Sequence, residues 1–283
     1  MIRALRSSFF RFFSTGLFIK GLIFSVILAF FQIFRTCTED LGLLPFQQPR
    51  YVNNTFIMMN MLTLIYVVPF GIALFASIHT GSDIQFRSIN NKITTGVSRT
   101  SILLSDLIVT VLSAEFSIVL QMLIFYLYAR FVPVKSNISV SGVIINSTLG
   151  IMVICAAFSA VFVLVQFFSS NKLLALILTL LILPTINFSS QMLEARLTEP
   201  YRLYQYEEDE NGEQKVTGWT VNPNYIGGIP RTILQFFYDT NPYSFNYFEP
   251  EKVSLKTETE AAGIVFLAAT ALGVLSINKK EYP

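Results

Sequence analysis

The sequence predicts an all-α membrane protein of six transmembrane helices with both termini cytoplasmic. Charge is scarce: 13% of residues are Asp, Glu, Lys or Arg against 53% hydrophobic, with mean hydropathy +0.56. Soluble domains carry roughly 25% charged residues. Six apolar runs approach the roughly 20 residues that a helix needs to cross about 30 Å of hydrocarbon. Lysine and arginine gather in alternate loops, which fixes a sidedness. The net charge of +2 is too small to signal a nucleic-acid partner.

Residues 1–15, "MIRALRSSFFRFFST", read as a cytoplasmic amphipathic interface helix. Arg3, Arg6 and Arg11 would meet lipid headgroups and acidic partners, and Phe9, Phe10, Phe12 and Phe13 would meet lipid. An irregular basic tail is the alternative. The first span is Gly16–Phe34, with Lys20 able to snorkel to the interface. Its basic approach resembles a signal peptide, but "RTCTED" follows in place of a small-residue cleavage site, so the span is expected to be retained. The next spans are Phe56–Ile78, holding Pro69 and Gly71, then Ile102–Ala129 and Val143–Phe168. The fifth, Leu173–Phe188, is short and carries Pro184. Together these five occupy residues 16–188. The sixth, Ala261–Ile277, opens a final segment, 261–283, that ends in a cytoplasmic tail. Ala269 and Gly273 in it suit close helix packing.

The basic segments are residues 1–20, the loop 79–101, "SSNK" before the fifth span and the tail "NKKEYP". Six spans put all four on one face, the cytoplasm. Residues 35–55, 130–142 and 189–260 fall on the other. Within 189–260, the acidic "EEDENGE" at 207–213 reads as a solvated turn. Residues 229–239 read as a short helix, with Ile229, Ile233, Phe236 and Phe237 on one face. That helix either lies at the outer membrane interface or packs on its own loop.

Few residues offer chemistry. Cys37 and Cys155 lie in settings too different for a disulfide, and metal-ligand spacing is absent. His79 has no second histidine to form a site with and reads as a bland residue at a span end. Asp106, near the cytoplasmic boundary, reads as wet. Glu115 lies about 20 Å along the third helix from Ile102 at 1.5 Å per residue. A carboxylate at such depth is either functional or held by a structural hydrogen bond to Asn60, Gln121 or Gln166. Catalytic groups, bound cofactors and metals are not expected in this chain.

The loop 79–101 carries the most information. Ser82 or Asp83 is placed to cap a short helix, Gly96 to break it, and Ser98 or Ser101 to cap the third span. "INNKITTGVSRTSILLSDL" (89–107) resembles the loop after the second span of ABC-2 type transporter permeases, the membrane subunits of type V exporter-like assemblies in bacteria. The basic N-terminus, six spans and large outer segment before the last span agree with that resemblance. It implies that the loop is a coupling helix docked on an ATP-binding subunit, with Asp83, Arg87, Asn90, Asn91 and Lys92 as coupling residues and Gly96, Ser98 and Arg99 leading into the third span. It also implies that Ile2–Phe13 flanks the same subunit, and that two permeases, as a homo- or heterodimer, work with two ABC ATPases in the plasma membrane. No Gly-x-x-x-x-Gly-Lys-Ser/Thr occurs in the chain. ATP and Mg would therefore be held by the partner. Phe-rich spans favour export of a hydrophobic or amphiphilic cargo. An autonomous channel or scaffold without ATPase coupling is the alternative. An intramembrane enzyme lacks the paired acid or metal groups it would need.

Overall fold

A backbone in hydrocarbon finds no water to bond, so long apolar runs become helices that satisfy their own N–H and C=O groups. The computed structural model describes residues 1–35, 54–86, 88–131, 141–169, 171–208, 214–244 and 255–279. Cys37, Arg87, Lys280 and residues 209–213 lie outside them. The helices are α1 (Ile2–Ser14), α2 (Leu17–Arg35), α3 (Asn54–Ala76), α4 (Ser82–Gln85), α5 (Ser88–Thr94), α6 (Arg99–Phe131), α7 (Ser141–Phe168), α8 (Lys172–Leu197), α9 (Gly228–Asp239) and α10 (Lys256–Lys279). Six stretches are long and apolar enough to cross a membrane: Leu17–Arg35, Asn60–Gln85, Arg99–Tyr128, Ile145–Phe168, Lys172–Leu197 and Lys256–Lys279. The chain is a multi-pass membrane protein.

Helix ends differ from the apolar runs in two places. The fifth helix is not short: α8 runs 26 residues, with Pro184 inside it. Its polar end, "SSQMLEARL", is rich in strong helix formers and prolongs the helix past the apolar stretch. The second span does not stop at Ile78. A π-helical turn, Ser77–Gly81, carries α3 straight into α4. Ser82 and Asp83 therefore begin no new helix, and α4 has no side-chain cap. A Cβ on Gly81 would lie 2.6 Å from Gln166 Oε1 and 3.1 Å from Lys172 Cγ, so glycine is what lets the α7–α8 connection approach this turn. Lys172 Nζ donates to Ser82 Oγ at 2.9 Å.

The chain divides into two compact units, Met1–Pro184 with Phe245–Pro283, and Thr185–Ser244. In the first, α7 packs against α3, α6 and α10, and α6 also packs against α1, α2 and α3. Gly273 of α10 admits the side chains of Leu103 and Leu164, which a Cβ would meet at 2.9 and 3.4 Å. Arg99 Nη1 donates to the Ile277 carbonyl at 3.4 Å, binding the start of α6 to the end of α10.

α5 ends in a Schellman motif. The Gly96 N–H donates to Ile93 O at 2.9 Å and the Val97 N–H to Lys92 O at 3.1 Å. Gly96 holds φ +84 with nothing within 4 Å of where a Cβ would stand, so only the backbone demands glycine. Gly96→Ala is expected to cost about 1–2 kcal/mol. Gly96→Asn, which tolerates this conformation better, should cost less. Thermal unfolding in detergent reads that order, and equal midpoints for all three proteins would refute it. Ser98 then caps α6, its Oγ accepting from the Ser101 N–H at 3.3 Å.

The second unit adds what an all-α reading lacks. β1 (Arg202–Glu208) and β2 (Gln214–Val221) pair antiparallel, from Arg202↔Val221 to Glu208↔Gln214, with an irregularity between Gln205 and Tyr206. Tyr204, Val216, Trp219 and Val221 supply the aromatic and β-branched side chains that strands favour. Arg202 lies 4.4 Å over the Trp219 ring. In α9, Ile229, Ile233, Phe236 and Phe237 are each at least half exposed.

Candidate functional site

One stripe of α1 is built from small residues: Ala4 and Ser8 are buried, with Phe12 one turn on. Small side chains let α1 lie close on α6, and Phe12 packs with Leu17 and Val109. That approach brings Arg11 inward. Its guanidinium pairs with Asp83 through Nη1, and Nη2 stands 3.5 Å from Asp106 Oδ1 and 3.2 Å from His79 Nε2. Arginine has only donors, so Nε2 accepts and the imidazole proton sits on Nδ1. Ser8 Oγ donates to Asp106 Oδ1 at 2.8 Å and lies 3.2 Å from Ser105 Oγ. Lys92 of α5 donates to Asp83 Oδ2 at 2.6 Å, and Ser88 Oγ to Asp83 Oδ1, also at 2.6 Å. His79 stacks on Phe75, ring centroids 5.4 Å apart.

The result is a network of two cations and two carboxylates, electrically balanced, that joins α1, α4, α5 and α6. Asp106 is 0% exposed and Asp83 7%, while Arg11 and Lys92 keep 23% and 17%. Burial pulls the Arg11 guanidinium and the Lys92 ammonium below their ordinary values, and the Asp106 charge opposes both shifts.

Three expectations are corrected here. Arg11 does not face headgroups; of the three arginines on α1, only Arg3 and Arg6 are exposed. Asp106 is not wet, because α1 covers it. His79 is not bland, because it stands between Arg11 and Asp106. Of the loop residues, Lys92 and Asp83 turn into the network, Asn91 and Ser98 are exposed, and Asn90 is half-buried. Sequence reasoning passed over Phe86, which is 75% exposed at the end of α4. Its signal was a large aromatic beside polar loop residues.

The intramembrane polar group does not form one site. Gln166 lies against Gly81 at the charged end. Asn60 is 19 residues along α3 from His79, about 28 Å at 1.5 Å per residue, and its carbonyl accepts from Thr63 Oγ1. Glu115 and Gln121 alone share a cavity, of about 440 Å³, between α1, α2, α3 and α6.

Comparison of the chain with protein-family models, with curated proteins and with solved structures gave no match.

Proposed function

We propose that this chain is the membrane-spanning permease subunit of a bacterial ATP-binding cassette exporter, moving a hydrophobic or amphiphilic substrate under the drive of a separate ATPase. The observation that carries this is the seating of the loop. Phe86 and Asn91 stand exposed, and Asp83, three residues before Phe86, is tied through Arg11 to Asp106 of α6. A partner pressing on the exposed residues would load α1 and a membrane span together. On this reading the loop and α1 lie on the cytoplasmic face. ATP and Mg belong to the partner, and two permeases with two ATPases form the working unit in the plasma membrane. The chain itself is not an enzyme.

Arg99 supports the reading less than its sequence position implied, since it binds the end of α10. The test is coexpression with candidate P-loop ATPases, copurification, and ATPase activity in liposomes with and without amphiphiles. A stoichiometric complex whose turnover responds to an amphiphile is the expected result. Ion conductance from the chain alone, with no ATPase retained, would instead establish an autonomous channel.

A further inference from the structure

The cavity beside Glu115 is walled by aromatic rings, among them Phe12, Phe18, Phe24 and Phe116. Its volume, about 440 Å³, falls within the range of small-molecule sites, which are mostly apolar with a few placed polar groups. The serines in its wall are satisfied within the protein: Ser25 Oγ donates to Ser117 Oγ, Ser117 to the Ser113 carbonyl, and Ser113 to the Thr110 carbonyl. Two acceptors are not. Glu115 Oε2 and Gln121 Oε1 are buried with no hydrogen-bond partner among the described residues, and Gln121 is 1% exposed. No lysine or arginine lines the cavity among those residues. A buried acceptor without a donor is costly, and a carboxylate without a cation more so.

We propose that this cavity binds a single-chain amphiphile bearing a protonated primary amine. Its ammonium would supply donors and charge to Glu115, the surrounding ring faces favour a cation, and its alkyl tail would fill the apolar remainder. An anionic head would be repelled by Glu115. A neutral alcohol would leave the charge unmatched. The inference concerns occupancy of this cavity and stands whether or not an ATPase drives the chain.

The probe is a C12 primary alkylamine carrying a diazirine in its tail, photolysed with the full chain in phosphatidylcholine nanodiscs and mapped by peptide mass spectrometry. Adducts are expected on cavity-lining positions of α2, α3 and α6. Dodecylamine should compete for them, and dodecanol and dodecyl sulfate should not. Glu115→Gln keeps the side chain's shape and should reduce labelling at least tenfold. Gly21 lines the cavity with nothing within 4 Å of its Cβ position, so Gly21→Trp should fill the space and block labelling. Labelling undiminished in Glu115→Gln, equal competition by dodecanol, or adducts confined to other surfaces would each overturn the proposal.

Discussion

Arg11→Met will destabilise the protein more than Asp106→Leu, and adding Asp106→Leu to Arg11→Met will restore stability. Removing Arg11 leaves Asp106, 0% exposed, with Ser8 and the neutral His79 in place of a cation. Stranding one charge of a buried pair costs about 3–5 kcal/mol. Removing Asp106 instead leaves Arg11 on Asp83, with 23% of its side chain open to solvent. That residual charge is paired and partly wet, so the cost is smaller. With both changed, Lys92 still balances Asp83 and no charge is stranded. Thermal unfolding of the detergent-solubilised protein gives four midpoints. The double variant should melt above Arg11→Met, a sign of coupling that independent sites do not show. If Asp106→Leu lowers the Arg11→Met midpoint further, the network does not hold these elements together.

Under the proposed function, Phe86→Asp will weaken ATPase binding by at least about 2 kcal/mol, roughly a thirtyfold weaker Kd, and leave the chain folded. Exposed aromatic anchors dominate interface energetics when a partner's pocket encloses them. At 75% exposure, Phe86 contributes little to the chain's own packing. Lys92→Glu makes the contrast. It sets a carboxylate against Asp83, which Lys92 now meets at 2.6 Å, so it disturbs the seat of the loop as well as any docking. Titration of a purified candidate ATPase onto the chain in nanodiscs separates the two. Phe86→Asp should lose affinity at an unchanged melting midpoint, whereas Lys92→Glu should lose both. Unchanged affinity in Phe86→Asp would remove this residue from the docking surface.

Hydropathy made the six spans legible, because a membrane helix must bury its backbone dipoles whatever lies beside it. It did not mark their ends. The tail of α8 is helical through propensity, and Gln166 and Lys172 pack over Gly81 in the π turn at Ser77–Gly81, a contact no local pattern announces. The hairpin at Arg202–Val221 had a local signal in its tyrosines and valines that composition masked. The Arg11 network was hidden for a different reason. Local rules send an arginine of an amphipathic helix to headgroups and a boundary aspartate to water, and the pairing joins residues 95 apart in sequence. The one clue was the Ala4–Ser8 stripe, whose small side chains permit a close helix approach. For Glu115, helix rise gave a depth and no neighbours. Gln121 shares its cavity, while Gln166 sits at the charged end.

What presses on the loop decides the account. A photoreactive benzoylphenylalanine placed at position 86 in the full-length chain, irradiated in intact cells, reports its neighbour directly. An adduct with a P-loop ATPase is expected, identified by mass spectrometry and lost when Asn91 is changed to a bulky charged residue. Adducts with lipid alone, or with no nucleotide-binding protein, would contradict it.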